Sequence, residues 1–117
     1  IKIFNNGLME RDFTYIDDIV NGVTKIIEKN IDSREHYKIY NIGNNKTESL
    51  QNFIATIEKA MGKKAIKEMY PMQQGDVPRT FADIDKLIDD IGYKPSTSIN
   101  NGLEKFINWY KKYVNED

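Results

Sequence analysis

Apolar residues recur along the chain at two spacings, and segments with strand spacing alternate with segments that have helix spacing. Residues 1–4, a short apolar run, and residues 9–13 are predicted to be strands, and they flank Asn5-Asn6-Gly7. Asn and Gly adopt positive φ at low cost, so this tripeptide predicts a hairpin between the two strands. Two further short strands are predicted over residues 37–42 and 65–70.

Helical spacing predicts four helices, each with one apolar face. The residues predicted to face inward are Ile19, Val20, Val23, Ile26 and Ile27, then Leu50, Phe53, Ile54, Ile57 and Met61, then Ile84, Leu87, Ile88 and Ile91, and finally Leu103, Phe106, Ile107, Tyr110 and Val114. Predicted helix starts are Asp17 or Asp18, Thr47 or Ser49, and Asp83, and predicted stops are Gly62 and Gly92. The pattern therefore predicts an α/β fold, a small mixed domain with a few short strands and about four helices.

Composition narrows the class of protein. With 117 residues the chain has room for a single core, and folding a chain of this size buries roughly two thirds of its surface. The net charge of −1, with both signs interspersed, gives no reason to expect nucleic acid or an anionic membrane as a partner. Cysteine is absent, which excludes thiolate metal sites and suits a reducing compartment. We expect a soluble cytoplasmic domain without a metal, cut from a longer chain because it opens on Ile1.

Three polar positions are candidates for ligand binding. Arg11 precedes a helix, where its planar guanidinium can pair with both oxygens of a phosphate. Asp76 lies in a Gly-Asp turn between Pro71 and Pro78, which restrict the backbone, so its carboxylate is suited to accept from both hydroxyls of a ribose diol. Asn41 ends a predicted strand, a position where side-chain amides often contact ligands.

Each candidate also has a structural interpretation. An isolated arginine near a helix start is usually a surface or ion-pairing residue, a lone Gly-Asp commonly forms an Asx turn, and Asn41 can satisfy a strand-end carbonyl. The single histidine, His36, is expected to be an exposed loop residue. The sequence contains neither a glycine-rich dinucleotide fingerprint nor a Tyr-x-x-x-Lys pair. Taken one residue at a time, the structural interpretations are the better ones.

Four blocks of sequence, taken together, resemble one known family. They are Arg11-Asp12-Phe13-Thr14-Tyr15-Ile16-Asp17-Asp18, Tyr40-Asn41-Ile42-Gly43-Asn44, Pro71-Met72-Gln73-Gln74-Gly75-Asp76-Val77-Pro78 with Phe81-Ala82-Asp83, and a tail of Gly92-Tyr93-Lys94-Pro95, Gly102-Leu103 and Trp109-Tyr110. Their order and spacing resemble the extended short-chain dehydrogenase/reductases, the NAD-dependent sugar-nucleotide epimerases and dehydratases. The third block is most similar to UDP-glucuronate 4-epimerases, a group that includes capsular polysaccharide biosynthesis proteins.

The resemblance implies that residues 1–117 are a C-terminal substrate-binding domain and that the NAD-binding Rossmann domain is absent from this chain. In such enzymes NAD takes a hydride from C4 of the sugar and returns it to the other face. The residues that do this lie upstream, so the fragment alone is expected to be inactive. Arg11 matches the arginine that binds the diphosphate, and Asp76 matches the acid that binds the uridine ribose. Asn41 matches a diphosphate contact of some relatives.

Two positions qualify what the resemblance implies. Galactose epimerases have a second phosphate-binding arginine where this chain has Gln73, so here an amide is expected to hydrogen-bond to the substrate instead. Asp18 matches a family acid that is expected to cap its helix. The alternatives to a 4-epimerase are a UDP-glucuronate decarboxylase, a nucleotide-sugar 4,6-dehydratase or a noncatalytic relative that is used for protein contact. A homo-oligomer is expected, with Ile1–Phe4 as an open strand edge that pairs with another copy.

Overall fold

Four helices and two pairs of two-residue strands form the part of the chain that the structure, a computed structural model, describes: residues 1–29 and 37–114. The strands are β1 (Lys2–Ile3), β2 (Glu10–Arg11), β3 (Glu48–Ser49) and β4 (Glu68–Met69). The helices are α1 (Ile16–Glu28), α2 (Leu50–Met61), α3 (Asp85–Ile91) and α4 (Ile99–Tyr113). The predicted fold class, a small α/β domain with a few short strands and four helices, is confirmed. His36 lies outside the described residues.

The predicted hairpin between the first two strands is wrong, although its turn has the predicted conformation. Asn5, Asn6 and Gly7 have φ values of 50°, 48° and 81°. The turn is closed by the N–H of Leu8, which donates to the carbonyl of Asn5 at 2.8 Å. This left-handed turn separates the two strands instead of pairing them. β1 pairs in parallel with β4, and β2 pairs antiparallel with β3.

The strand predicted over residues 37–42 is not formed, because no strand of the described chain pairs with it. Its side chains still alternate as a strand would. Tyr37 and Ile39 are 82% and 74% exposed, while Tyr40 and Ile42 pack against the core. The pattern therefore predicted the two faces of this segment correctly, but it contained no information about a pairing partner. The strand predicted over 65–70 is shortened to β4.

Two helices begin at serine caps. The hydroxyl of Ser49 accepts the N–H of Asn52 at 3.1 Å, and the hydroxyl of Ser98 accepts the N–H of Asn101 at 3.3 Å. A side-chain acceptor at this position satisfies a backbone donor that the helix itself leaves unpaired. Gly62, at φ 70°, ends α2 in the left-handed conformation, as predicted.

α3 lies between the residues that were predicted to limit it. The carboxylate of Asp83 accepts the N–H of Asp85 at 3.1 Å, although the cap position itself is Ile84. Gly92 ends the helix at φ 62°. The predicted start is therefore displaced by one residue and the predicted stop is confirmed.

Asp18 does not cap α1, which starts two residues earlier and has Tyr15 at its cap position. The buried Asp18 carboxylate instead accepts the N–H of Ser96 at 3.1 Å and that of Thr97 at 3.0 Å. Burial opposes its ionisation, but the bonds from Ser96 and Thr97 outweigh that effect and lower the pKa of Asp18. Asp18 therefore ties α1 to the segment that precedes α4.

Apolar side chains pack in two regions. Ile84, Leu87 and Tyr93 are almost fully buried, and the residues packed against them are Ile26, Tyr40, Ile42, Ala82 and Ile91. The second region lies between α2 and α4, where Ile54 and Leu103 are buried. Beside it, α2 contributes Phe53 to a stacked ring pair with Phe13, whose centroids are 4.0 Å apart.

One side of α1 remains exposed although it is apolar. Its exposed residues are Ile16, Val20, Val23 and Ile27, with exposures of 59%, 54%, 43% and 77%. The prediction that Val20, Val23 and Ile27 face inward is therefore wrong, because α1 packs through Asp18, Gly22 and Ile26 instead. On α4, Phe106 and Tyr110 are likewise 46% and 38% exposed.

The molecule is wider than a compact domain of its size. Its radius of gyration is 17.4 Å, against about 13 Å expected for this length. Its accessible surface is 8680 Å², against roughly 6,600 Å² for a compact monomer of this mass. Apolar side chains that a compact domain would cover therefore remain at the surface.

Two carboxylates outside the candidate site are strongly stabilised in their ionised form. The carboxylate of Glu58, 5% exposed, lies 2.9 Å from Lys67 Nζ and from Lys64 Nζ and 3.1 Å from the N–H of Ala65. These bonds, that of Lys67 first, lower the pKa of Glu58 to about 2. Asp90 accepts from Lys38 at 2.7 Å and from the hydroxyl of Tyr40, and these bonds lower its pKa to about 2 as well.

We expect the chain to lose stability as the pH falls from about 4.5 towards 2. The folded-state pKa of Glu58 lies below its ordinary value of 4.5, so its contribution is present above that value and disappears as the folded carboxyl protonates. Thermal melting between pH 6 and 2 measures the loss. Glu58→Gln should flatten the dependence, whereas Glu104→Gln, at an exposed site on α4, should leave it unchanged. An unaltered acid dependence in Glu58→Gln would contradict the assignment.

Candidate functional site

Arg11, at the end of β2, forms an ion pair with Asp76. The distance from Arg11 Nη2 to Asp76 Oδ1 is 2.8 Å, and the two side chains are 27% and 37% exposed. Arg11 Nη1 also donates to the carbonyls of Glu10 at 2.8 Å and Pro78 at 3.3 Å. A guanidinium has more N–H donors than these bonds use, so Arg11 is held in place and retains the capacity to bind an anion.

Backbone hydrogen bonds explain why two residues so far apart in sequence meet. The segment that follows Asp76 runs alongside β2, with the N–H of Glu10 donating to Pro78 at 2.9 Å and the N–H of Thr80 donating to Glu10 at 3.2 Å. The N–H of Asp12 then donates to Thr80 at 3.1 Å. The pairing fixes residues 78–80 against the strand that carries Arg11.

Asp76 lies in an exposed turn that positions its carboxylate. The N–H of Asp76 donates to the carbonyl of Gln73 at 3.2 Å, and Gly75 has a φ of 84°. The Asp76 carboxylate also accepts the N–H of Val77 at 2.8 Å. The local turn bond and the pairing with Arg11 therefore coexist, and Gln73 starts the same turn.

Asn41 is held in a different contact. Its side-chain amide donates to the carbonyl of Asp83 at 3.2 Å, a structural contact, although this carbonyl precedes α3 and does not end a strand. The structure thus brings Arg11, Asp76 and the turn of Gln73 together, and it places Asn41 on a neighbouring loop, in a contact of its own.

Asp12 is the residue that the sequence analysis missed. Its carboxylate accepts the N–H of Asn44 at 2.9 and 3.1 Å, the N–H of Asn45 at 3.0 Å and the N–H of Ala82 at 3.2 Å. The hydroxyl of Thr14 donates to it at 3.2 Å. We call Asp12, Asn44, Asn45 and Ala82 the Asp12 junction. Its position next to Arg11, directly after a strand, was the only signal available in the sequence.

The loop beside the junction depends on a glycine. A Cβ added to Gly43 would lie 2.5 Å from the Cβ of Ala82 and 2.8 Å from Oδ2 of Asp12. On its other side, the buried hydroxyl of Tyr93 donates to the carbonyl of Gly43 at 3.1 Å. Burial, and then the charges of Asp18 and Asp12, raise the pKa of Tyr93, so its hydroxyl remains a donor at neutral pH.

Arg79 is a second arginine close to β2, but it belongs to the opposite face. Arg79 Nε lies 3.2 Å from the carboxylate of Glu10, and its guanidinium covers the ring of Phe81 at 5.3 Å. Successive side chains of a strand point to opposite faces, so Glu10 and its partner Arg79 lie away from Arg11. Arg79 is therefore no substitute for a second phosphate-binding arginine.

The described residues do not form a dinucleotide cradle. Such a cradle needs a helix N-terminus with free N–H groups that face a pyrophosphate. α2 and α4 begin at serine side-chain caps, and α1 and α3 have Asp17, Asp18 and Asp85 in their first turns, which repel phosphate. The same residues contain no cluster of three potential metal ligands. No helix among them has the length and apolar character needed to cross a membrane.

Comparison with known proteins decides the family. Residues 2–106 match the family described as GDP-mannose 4,6 dehydratase. The chain belongs to this family. The match extends from β1 into α4 and includes the Arg11–Asp76 pair and the Asp12 junction.

Several known proteins are similar to this chain over almost its whole length. The chain is 41% identical to a probable UDP-glucuronate 4-epimerase of Rhizobium meliloti, over 94% of this chain and 37% of that protein. It is 40% identical to protein CapI of Staphylococcus aureus, over 97% of this chain and 38% of CapI. The crystal structure of UDP-glucuronic acid 4-epimerase from Bacillus cereus with UDP-glucuronic acid and NAD is 35% identical, with a TM-score of 0.80 over 96% of this chain and 35% of that one.

The resemblance to sugar-nucleotide epimerases is confirmed by these relatives. The chain spans only about a third of the length of the curated and solved proteins it matches, 37% and 35% in two of them. The complex with UDP-glucuronic acid and NAD therefore belongs to a protein about three times as long as this chain.

Proposed function

We infer that this chain is the C-terminal substrate-binding domain of an NAD-dependent UDP-glucuronate 4-epimerase, and that a Rossmann domain precedes it in the complete protein. The observation that carries the proposal is the Arg11–Asp76 pair, which brings a cation and a carboxylate from opposite parts of the chain to one exposed edge. Similarity to UDP-glucuronate 4-epimerases over almost the whole chain supports the choice of substrate. We place the complete protein in the cytoplasm.

In this proposal the two charged residues bind different parts of the nucleotide. The guanidinium of Arg11 binds the diphosphate, and the carboxylate of Asp76 accepts from the ribose hydroxyls. Gln73, at the start of the same turn, replaces a second arginine by an amide that donates a neutral hydrogen bond. Asn41 contributes to the diphosphate contact from the neighbouring loop after releasing the carbonyl of Asp83.

Nucleotide binding then exchanges one ion pair for another. Without a nucleotide, the Arg11 guanidinium is neutralised by Asp76 at 2.8 Å. A diphosphate that reaches Arg11 takes the place of this carboxylate and leaves it available to the ribose. In this proposal the edge is preformed, and each charged group is held by the other until the substrate separates them.

Among the described residues, the helix starts either have a serine cap or carry acidic residues in the first turn, and both features disfavour a pyrophosphate. We therefore assign the cofactor to the preceding domain and derive no chemical step on this one. The role of this chain is to hold the nucleotide so that the sugar reaches that domain.

The isolated chain should show no conversion of UDP-glucuronate when NAD is added, whereas the complete protein should interconvert UDP-glucuronate and UDP-galacturonate. Chromatographic separation of the two sugar nucleotides measures both outcomes. Release of CO₂ by the complete protein would indicate the decarboxylase instead, and loss of water from the sugar would indicate the dehydratase. Turnover by the isolated chain would refute the proposed division between the two domains.

We also propose that copies of the isolated chain associate with one another and form the homo-oligomer that the sequence leads us to expect. The exposed apolar residues of α1 and the excess accessible surface favour association, because monomers rarely expose large apolar patches. The β1 edge opposite β4 is one place where a second copy can pair. Sedimentation at increasing concentration should show dimers or larger species. A strictly monomeric chain at high concentration would contradict this proposal.

A further inference from the structure

We propose that Asp12 is a positioning residue for nucleotide binding, which holds the Arg11 strand, the Gly43–Asn45 loop and the Gln73–Asp83 segment in one arrangement. Asp12 has this role only if the edge formed by Arg11 and Asp76 binds a nucleotide, as proposed above. Asp12 itself makes no contact with substrate in this proposal. It acts through the backbone groups that its carboxylate fixes.

The two oxygens of Asp12 join segments that are distant in sequence. Oδ1 and Oδ2 accept from Asn44 and Asn45, which lie 32 and 33 residues away, and Oδ2 accepts from Ala82, which lies 70 residues away. Arg11 is the preceding residue on β2, and Asp76 lies six residues before Ala82. Two sets of contacts therefore fix the position of Arg11 relative to Asp76. One is the backbone pairing of β2 with residues 78–80, and the other is the bond from Ala82 to the Asp12 carboxylate.

The geometry of the loop shows that it is built around this carboxylate. Asn45 has a φ of 54°, and its N–H and that of Asn44 converge on the same anion. Successive N–H groups in this conformation form a nest that binds anions. Here the nest is occupied by Asp12, so these N–H groups hold the side chain next to Arg11 and do not bind the phosphate of a ligand.

The charge and shape of the side chain are both required. All the donors around Asp12 are N–H or O–H groups, and they reach both carboxylate oxygens. An asparagine of the same size would turn an NH₂ group towards one set of these donors, and an N–H that faces another donor loses its hydrogen bond. Asp12→Asn therefore loosens the junction without removing volume.

Asp18 offers a matched control. It is also a carboxylate bound by two backbone N–H groups, those of Ser96 and Thr97, but it connects α1 to the segment before α4. Replacing Asp18 by Asn should lower stability in the same way without moving Arg11 or Asp76. A purely structural role of Asp12 would make the two variants behave alike.

The test measures UDP affinity by calorimetry in the complete protein, well below the melting temperature of each variant. Asp12→Asn should weaken UDP binding by about tenfold, since small displacements of contact groups have large effects, while Asp18→Asn should stay within about twofold of wild type. Asp12→Glu, which keeps the charge but lengthens the side chain, should also bind UDP more weakly.

Each remaining outcome has a defined meaning. Failure of the wild-type protein to bind UDP would overturn the proposed function, and the role of Asp12 with it. Wild-type affinity in Asp12→Asn, or equal losses in Asp12→Asn and Asp18→Asn, would overturn the positioning role alone. If Asp12→Asn does not fold, Asp12→Glu decides by the same criterion. Failure of both to fold would assign Asp12 to stability and overturn the proposal.

Discussion

Replacing Arg11 by Ala in the complete protein should weaken UDP binding by roughly ten- to a hundredfold. A hydrogen bond to a charged group typically contributes about 1.5–3 kcal/mol, which corresponds to that change in affinity. Asp76→Ala should also weaken UDP binding, because the ribose hydroxyls lose the carboxylate that accepts their hydrogen bonds. Occupancy by NAD should be nearly unchanged in both variants, because neither residue belongs to the preceding domain, to which we assign the cofactor. Calorimetric titration with UDP, together with a melting curve, measures the effect.

Arg79→Ala is the control for Arg11→Ala. Both arginines lie close to β2 and bear the same charge, but Arg79 pairs with Glu10 on the opposite face. Its removal should leave UDP affinity unchanged. Wild-type UDP affinity in Arg11→Ala would contradict the assignment of Arg11 to the phosphate. Equal losses of UDP affinity in Arg11→Ala and Arg79→Ala would indicate an effect of net charge instead of a specific contact.

Adding one methyl group at Gly43 should destabilise the chain by about 1–3 kcal/mol, the usual cost of forcing extra volume into a packed site. The new Cβ would lie 2.5 Å from the Cβ of Ala82, which no side-chain rotation can move, and 2.8 Å from the Asp12 carboxylate, which backbone N–H groups hold in place. Thermal melting of Gly43→Ala should show a lowering of several degrees.

A second substitution tests the cause of this loss. Ala82→Gly removes the Cβ that lies nearer to the new methyl group. The double variant should therefore lose less stability than the sum of the losses in the two single variants. Strict additivity of the two single effects would show that the loss does not arise from this contact.

Local signals in the sequence predicted much of the fold. Ser49, Gly62 and Gly92 limit their helices as expected, because capping depends on residues within one turn. The positive φ of Asn5 and Asn6 was predicted for the same reason. Pairing was not predictable, since β1 and β2 each join strands that lie tens of residues away.

The candidate site was predicted only in part. Arg11 and Asp76 were candidates from their positions in the sequence, the resemblance favoured a binding role for them, and the structure adds that they contact each other. Asp12 was missed because its partners distant in sequence are backbone N–H groups, which no sequence pattern marks. The exposed side of α1 was assigned to the core because apolar spacing shows that a face is apolar but not what covers it.

The long sequence separation between the groups that form the site also affects when it can form. Arg11 meets a residue 65 positions further on, and Asp12 meets one 70 positions further on. Contacts of this range require the closure of long loops, which delays them during folding. A chain that is still being synthesised lacks the edge until residue 82 has left the ribosome. A nucleotide can therefore stabilise the finished fold, but it cannot act as a template for the early steps that lead to it.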